Sequence, residues 1–241
     1  MAYFSALLEQ GARRMKVIAL IPGLNVGRKI GPLVRQIKTY LPEVVVVDDG
    51  STDDTAERAK EAGATVLRHS TNLGKGRALQ TGFQYLLAQR GDGCLLLDGD
   101  GQHSPEDIPA FLKAASEGAG VVLGNRMGQA HQMPFVRRWT NRVMSYLLSR
   151  LLDTKIPDSQ CGFRFLRSEV LSQLNLGASR FEIDSEILVE ARRHHFRIVS
   201  VPIRVLYQGE KSAIYPLRDT CRFFVYLFRV MRKKSADGSG T

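Results

Sequence analysis

The sequence predicts an α/β protein with a mostly parallel sheet that carries helices on both faces. Short β-rich apolar runs alternate with segments of helical periodicity along the first half of the chain, a pattern typical of parallel sheets. Three of these runs end abruptly in polar clusters, at Pro22 to Asn25, at Asp48-Asp49 and at Asp98 to Asp100. Parallel sheets bind ligands beyond the carboxyl ends of their strands, so the same pattern predicts a site at that edge.

The first elements are predicted from apolar runs and the turn residues that bound them. Pro22-Gly23 ends the first run, and Thr52 or Asp53 is placed to cap the second helix, which Gly63 closes. The helices show apolar residues at helical spacing, whereas the strands are continuous apolar runs. In chain order the predicted elements are a strand at 16–21, a helix at 28–40, a strand at 43–47, a helix at 53–62 and a strand at 65–68.

The next elements repeat the alternation. A glycine-flanked lysine, Lys75, opens a helix, and Ser104 caps a later one that has Pro105 in its first turn and acids near its positive dipole end. The predicted elements here are a helix from 72–76 to about 89, a strand at 94–97, a helix starting at 104 and a strand at 120–123.

The second half is less regular. Residues 124–134 are predicted as a loop long enough to move over a site. The helix predicted at 136–152 has five apolar side chains available for burial, which are Trp139, Val143, Tyr146, Leu147 and Leu151. Residues 158–164 lead into a short strand, 181–195 are partly helical, and 197–207 return as a strand. No internal repeat and no linker is found, which predicts one continuous domain at 16–214.

The chain ends are predicted to be accessory segments. Residues 1–15 read as a short amphipathic helix, and 235–241 as a disordered tail of small polar residues. Residues 215–234 predict a C-terminal amphipathic helix, on which four arginines form a narrow stripe beside aromatic residues. Such a helix suits the headgroup region of an anionic bilayer, and packing on the domain with a solvated basic face explains it equally well.

Composition narrows the class of protein. The net charge of +10 predicts an anionic partner: nucleic acid, a membrane surface or a phosphorylated substrate. No aromatic-basic RNA motif is found, so nucleic acid is not expected as a partner. The three cysteines are scattered, which indicates reduced thiols in a cytosolic setting. No apolar run approaches the ~20 residues that a membrane span needs, so a soluble or peripheral protein is expected.

Asp98-Gly99-Asp100 is the central candidate site. It follows the apolar run Leu95-Leu96-Leu97, and in an extended segment its two carboxylates point to one side. Two acids held so close repel unless a cation lies between them, and oxygen ligands suit Mg²⁺ or Mn²⁺. A polar turn is the alternative explanation of this segment alone.

Taken in order, the segments VVVVDDGSTDDT, NLGKGRALQTGF and LLLDGDGQHSPEDIP resemble a family 2 glycosyltransferase with a GT-A fold. The pattern is most similar to that of polyprenyl-phosphate sugar transferases of the dolichol-phosphate mannose synthase type. The similarity covers about residues 16–207 and is more specific in the first half. It implies a nucleotide-diphosphate sugar as donor and a divalent metal, Mg²⁺ or Mn²⁺, as cofactor.

The resemblance implies roles for individual residues. Asp98 and Asp100 match the metal-binding DxD pair, with Gly99 between them, Asp100 counted as catalytic and Gln102 assisting at the metal. The residues implied to bind the nucleotide sugar are Pro22, Leu24, Asn25, Val47, Asp49, Lys75, Asp98, Gly99 and Arg126. Lys75 resembles a phosphate cradle at a helix start, but without the spacing of a P-loop.

In the acceptor half, Asp158 is implied to be a catalytic or acceptor-orienting acid. Arg164 and Lys211 are candidates for binding an acceptor phosphate. Structural alternatives remain open for them, since Asp158 would also suit a turn and Arg164 a salt bridge. The family's first loop usually ends in Asn-Glu, where this chain has Asn25-Val26.

The function expected is metal-dependent, inverting transfer of a sugar from a GDP- or UDP-linked donor to a polyprenyl phosphate. The enzyme is expected in the cytoplasm, peripheral at the inner face of the cytoplasmic membrane. One alternative is transfer to a sugar hydroxyl in a cell-surface polysaccharide or glycolipid. An alternative of another class, raised by Val26, is a non-catalytic nucleotide-binding protein.

Overall fold

A computed structural model describes residues 15–176 and 182–205 of the chain. The N-terminal helix predicted at 1–15 lies, except for Met15, outside the described residues. The same holds for Lys211, for the amphipathic helix at 215–234 and for the tail at 235–241.

The core of the protein is a seven-stranded sheet with the strand order β3-β2-β1-β4-β6-β5-β7. All neighbouring strands pair in parallel except β6, which is antiparallel to both β4 and β5. The predicted mostly parallel α/β sheet is therefore confirmed. Its strands are β1 (Val17–Gly23), β2 (Val44–Asp48), β3 (Thr65–Arg68), β4 (Gly93–Leu96), β5 (Val121–Asn125), β6 (Arg164–Arg167) and β7 (Ile198–Pro202).

Helices cover both faces of this sheet. Alternate strand residues point to opposite sides, so the sheet carries two hydrophobic cores. The helices are α1 (Gly27–Ile37), α2 (Thr55–Glu61), α3 (Lys75–Ala88), α4 (Ile108–Ser116), α5 (Phe135–Leu152), α6 (Ser168–Gln173) and α7 (Ile183–Arg193). Helices α1, α2 and α4 pack on one face, and α3, α5, α6 and α7 on the other.

Three local predictions need correction. The predicted loop at 124–134 contains the 3-10 helix Met127–Gln132. The helix predicted to begin at Ser104 is a 3-10 turn, Pro105–Asp107, that runs into α4, and the Ser104 side chain makes no cap. Helix α2 begins two residues later than expected. Asp53 lies before the helix, and its side chain accepts a hydrogen bond from the Thr55 amide.

The side chains of α5 differ most from the prediction. Leu147 and Leu151 pack partly against the core, but Trp139 and Tyr146 are 60% and 63% exposed, so their predicted burial is wrong. The inner face instead buries polar groups, among them Asn141 and Ser145. No helix in the described ranges is long and apolar enough to cross a membrane.

Candidate functional site

The carboxyl edge of the sheet brings the three polar clusters together. Gly23 at the end of β1 pairs with Asp48 at the end of β2, and the Asp49 amide donates to the Gly23 carbonyl at 2.9 Å. On the other side of β1, the Leu97 amide donates to the Leu20 carbonyl at 3.1 Å. The backbone of the three neighbouring strands thus places the first loop, the Asp48-Asp49 pair and the Asp98-Gly99-Asp100 segment at one edge.

Asp98 lies between a lysine and a histidine. Its Oδ1 is 3.0 Å from Nζ of Lys75, at the start of α3, and its Oδ2 is 3.4 Å from Nε2 of His103. Burial disfavours the charge of Asp98, but the Lys75 ammonium and the His103 imidazole outweigh it and hold the pKa of this carboxyl well below its usual range. Asp98 is therefore ionised at neutral pH.

Asp100 has the opposite electrostatic environment. Burial and the nearby Asp98 carboxylate raise the pKa of Asp100, and the Gln102 amide, which donates to its Oδ1 at 2.9 Å, only partly compensates. The Lys29 ammonium is held close by the Asp100 carbonyl at 2.8 Å. Repulsion between two carboxylates that raises a pKa is relieved when a cation binds between them.

The residues present fit a divalent cation. No group of three or more His, Cys, Asp or Glu side chains converges as a metal site within residues 15–176 and 182–205. Mg²⁺, however, is commonly bound by only one or two carboxylates together with substrate phosphates and water. Asp98 and Asp100 supply that number, and their oxygens are the ligand type that Mg²⁺ and Mn²⁺ prefer.

Asp49 organises the neighbouring loop. Its Oδ1 accepts the Leu73 amide at 2.9 Å and lies 2.7 Å from His69 Nδ1, and its Oδ2 accepts the Gly74 amide at 2.8 Å. Gly74 has a φ of 93°, which a side chain would strain, immediately before α3. Asp49 thereby fixes the segment that delivers Lys75 to Asp98.

The first loop is tied to the loop after β2. The Asn25 amide donates to Ser51 Oγ, and Asn25 Oδ1 accepts the Thr52 amide, both at 2.9 Å. Beside this contact lies an open cavity of about 400 Å³, lined by Gly50, Ser51, Thr52, Arg68, His69 and Ser70. Pro22 is half-buried and Leu24 exposed, whereas Val47 points into the core and offers only its backbone to the edge.

Arg126 and Asp158 form a buried ion pair. Asp158 is 0% exposed and accepts bonds from Arg126 Nε at 2.7 Å, Arg126 Nη2 at 2.8 Å and the Arg126 amide at 3.1 Å. Asn141 Nδ2 on α5 donates a fourth bond at 2.9 Å. Burial opposes the charge of Asp158, but the Arg126 guanidinium outweighs it and lowers its pKa. Asp158 is thus a paired carboxylate that orients Arg126.

Arg164 is fully buried at the start of β6. Its guanidinium donates to the backbone carbonyls of Cys161, Ser159 and Asp184, at 2.6, 2.7 and 2.5 Å. These contacts are with protein atoms, so in this structure Arg164 connects the 159–161 loop to the start of α7. The acceptor role that the resemblance implies for it stays a prediction.

Three residues were not predicted from the sequence to contact the Asp98-Gly99-Asp100 segment or Lys75. His103 contacts Asp98, Lys29 holds the Asp100 carbonyl, and Asp184 on α7 lies 3.2 Å from Lys75 Nζ. His103 stood close to the metal segment in the sequence, which was the one local signal. Asp184 lies 109 residues from Lys75, and no sequence pattern indicated their contact.

The chain matches a family model described as "Glycosyl transferase family 2" over residues 20–174. An uncharacterised Methanocaldococcus jannaschii protein is 32% identical over 199 residues, covering 80% of this chain and 82% of that protein. The polyprenol monophosphomannose synthase of Mycolicibacterium smegmatis is 30% identical over 205 residues, covering 78% and 76%. The Pyrococcus furiosus dolichol-phosphate mannosyltransferase is 29% identical over 233 residues, covering 90% of this chain and 64% of that protein.

The fold is similar to that of solved glycosyltransferases. Glucosyl-3-phosphoglycerate synthase from Mycobacterium tuberculosis, solved with phosphoglyceric acid, superposes with a TM-score of 0.66 at 22% identity. The match covers 82% of this chain and 73% of that chain. The same enzyme solved with Mn²⁺, UDP-glucose and phosphoglyceric acid superposes with a TM-score of 0.65.

Proposed function

Because this chain belongs to glycosyltransferase family 2 and is a glycosyltransferase, we propose that it transfers a sugar from a GDP- or UDP-linked donor to a polyprenyl phosphate. The transfer is metal-dependent and inverting, and it takes place at a membrane surface, on the cytoplasmic side where nucleotide sugars are available. A divalent cation, Mg²⁺ or Mn²⁺, is held by Asp98 and Asp100 with the help of Gln102.

The carboxylate pair after β4 carries the donor half of this proposal. The pKa of Asp100 is raised by burial and by repulsion from Asp98. A cation bound between the two carboxylates would remove this repulsion and stabilise both charges. A metal bound there neutralises the diphosphate and makes it a better leaving group. Arg126 directly follows β5, next to this edge, and is oriented by Asp158. It would add positive charge at the departing phosphates.

The chemistry proposed is a single displacement. An oxygen of the acceptor phosphate attacks the anomeric carbon, and the bond between that carbon and the donor's β-phosphate oxygen breaks. The nucleoside diphosphate leaves with the bonding pair, and the sugar is joined to the lipid phosphate with inverted configuration. No proton has to be removed, because the acceptor oxygen is already anionic at neutral pH.

The environment of Asp158 supports a phosphate acceptor over a hydroxyl. A hydroxyl acceptor needs a general base, and a base must be within reach of the proton it takes. Asp158 is fully buried, has a lowered pKa and accepts four hydrogen bonds, so it is a poor base. The relatives named for dolichol, polyprenol and undecaprenyl phosphate support the same acceptor class.

The test is to incubate the enzyme with radiolabelled GDP- and UDP-sugars and a polyprenyl phosphate in detergent, and to measure label in the organic phase. We expect transfer that EDTA abolishes and that Mg²⁺ or Mn²⁺ restores. Asp100→Asn should lower kcat/KM by at least about 100-fold, more than the loss typical for a residue that only supports a metal ligand. Asp153→Asn, at an exposed left-handed position that asparagine tolerates, is the matched control.

Three results would contradict the proposal. Undiminished transfer in EDTA, or in Asp100→Asn, would refute the metal site. Label transferred to a sugar hydroxyl acceptor and not to polyprenyl phosphate would refute the lipid-phosphate acceptor and favour the polysaccharide or glycolipid alternative. Metal-dependent nucleotide binding without transfer to any acceptor would favour the non-catalytic alternative that Val26 raises.

A further inference from the structure

Helix α5 exposes an unusual set of side chains to solvent. Phe135, Trp139 and Tyr146 are 69%, 60% and 63% exposed, and Val136 is exposed beside them. At 100° per residue, Phe135, Trp139, Arg142, Tyr146 and Arg150 fall within about 80° of arc. We call this set, with Val136, the outer face of α5. The face that packs on the protein, which includes Asn141, Met144 and Leu148, lies on the opposite side.

The outer face is basic as well as aromatic. Helix α5 contains no acidic residue, and of its four arginines Arg142 and Arg150 lie on the outer face and Arg138 lies at its edge, whereas Arg137 lies on the opposite side. The Arg138 guanidinium lies 5.6 Å from the centre of the Phe135 ring, so charge and aromatic surface are presented together. A face that only meets water usually carries polar residues of both signs, which does not describe α5.

We propose that the outer face of α5 binds the headgroup region of an anionic lipid bilayer. Trp and Tyr place an apolar ring and a polar group at the same depth, which suits the boundary between headgroups and acyl chains. Arginines beside them are attracted by anionic lipids and keep their guanidinium groups at the headgroups while their stems lie in apolar surroundings. From Phe135 to Tyr146 the face extends over ~17 Å of helix.

The position of α5 gives this contact a consequence for the site. Asn141, on the inner face, donates to Asp158, which in turn orients Arg126. The helix that touches the bilayer is therefore in direct contact with the buried pair beside the donor site. A lipid-linked phosphate lies at headgroup depth, so docking through α5 would hold the site near the acceptor. This step rests on the proposed lipid-phosphate acceptor, whereas bilayer binding itself does not.

Trp139 provides a direct probe, because it is the only tryptophan of the 241 residues. The full-length protein is mixed with phosphatidylcholine vesicles prepared with and without phosphatidylglycerol. We expect the Trp139 emission to move to shorter wavelength with the anionic vesicles, and lipids brominated near the headgroup end of their chains to quench it. The emission of the free protein should be that of a largely exposed indole.

Two double substitutions separate the contribution of the aromatic rings to vesicle binding from that of the arginines, and both leave Trp139 in place. Phe135→Gln/Tyr146→Gln should weaken vesicle binding by at least about tenfold, since each ring loses buried apolar area. Arg142→Gln/Arg150→Gln should weaken binding to anionic vesicles by about tenfold or more and change binding to neutral vesicles little. Arg35→Gln/Lys60→Gln, which removes the same charge from exposed positions on α1 and α2, should have a much smaller effect.

Several outcomes would overturn the proposal. Vesicle binding with unchanged Trp139 emission would mean that another part of the chain makes the contact. A short-wavelength Trp139 emission before vesicles are added would mean that the outer face is already covered, either by residues outside the described ranges or by a second copy of the chain. Size-exclusion chromatography distinguishes these two cases. Equal weakening of vesicle binding by Arg35→Gln/Lys60→Gln would show that binding depends on the net charge of the protein and not on the outer face of α5.

A soluble acceptor separates this proposal from the proposed function. With a short, water-soluble isoprenyl phosphate and no membrane, the α5 variants should transfer sugar at the wild-type rate. With polyprenyl phosphate in anionic vesicles they should lose activity in proportion to binding. If the wild type binds vesicles but transfers to neither phosphate, the proposed function fails and the bilayer contact stands. Loss of soluble transfer in the variants would contradict a role limited to docking.

Discussion

Arg126→Met is the substitution that tests the buried pair most directly. The methionine side chain is of similar length and apolar, and the backbone amide of residue 126 can still donate to Asp158. The substitution removes the two guanidinium bonds, from Nε at 2.7 Å and Nη2 at 2.8 Å, and with them the countercharge. Asp158, 0% exposed, keeps only that amide and Asn141 as hydrogen-bond donors.

The expected loss of unfolding free energy at neutral pH is about 3–5 kcal/mol, the range for removing one partner of a buried ion pair. It is large because the remaining carboxylate is both buried and charged, not because the pair itself is strongly stabilising. Arg126→Met/Asp158→Leu removes both charges and should therefore recover a substantial part of the loss. Arg142→Met, at an exposed position on α5, should stay within about 0.5 kcal/mol of wild type.

The pH dependence of the unfolding free energy provides a second, independent test of the same pair. In the native protein the pKa of Asp158 is lowered, so the stabilisation from this group is complete above its unfolded pKa of about 3.9 and is lost as pH falls through the folded pKa. In Arg126→Met, burial is opposed only by the hydrogen bonds from the residue-126 amide and Asn141, and the folded pKa rises above the unfolded value. The variant then takes up a proton on folding, so its deficit relative to wild type shrinks as pH falls from 7.5 towards 5.

Urea unfolding followed by circular dichroism at two pH values measures both effects. The free energy difference follows from the shift in midpoint at constant slope. The reasoning is refuted if Arg126→Met unfolds at the same urea concentration as Arg142→Met. It is also refuted if the deficit is equal at both pH values, because Asp158 would then not be the group left uncompensated.

Two glycine substitutions test close packing at the site and in the core. A Cβ at Gly162 would overlap the Asp98 carboxylate, so Gly162→Ala should displace this proposed metal ligand and weaken metal-dependent nucleotide binding by about 100-fold in calorimetry. Gly128→Ala, with no atom near its added Cβ, is the control, and unchanged affinity in Gly162→Ala would contradict the placement of Asp98. A Cβ at Gly82 would overlap Leu20, so Gly82→Ala should destabilise the protein by about 1–3 kcal/mol in urea unfolding. A gain of about 1 kcal/mol, the usual result of Gly→Ala inside a helix, would show instead that α3 and β1 are loosely packed.

The carboxyl edge of the sheet could be predicted because its determinants are local. Each parallel strand is a short apolar run, and each ends where polar residues begin, as at Asp48 and Asp98. Neighbouring parallel strands must end at the same edge, so three local patterns sufficed to place three loops together. The predicted strand at 65–68 agrees with β3 residue for residue.

The rest depended on contacts that no local pattern encodes. Asp158 meets Arg126 across 32 residues and Asn141 across 17, and all three are buried. Hydrophobicity alone predicted that Trp139 and Tyr146 lie inside, because it assumes that apolar side chains face the core. In α5 the need to satisfy a buried carboxylate turns Asn141 inwards, and the aromatic residues are rotated out to solvent.

The reversed strand β6 has a consequence for how the molecule can be divided. Arg164 pairs with Leu96 of β4 on one side and Leu123 of β5 on the other, so β6 joins these two strands within the sheet. A shift of one residue in the register of β6 would turn Phe165 from one core to the other and draw Gly162 away from Asp98. A fragment that stops after β5 would leave β4 as a bare edge, with both carboxylates at its rim.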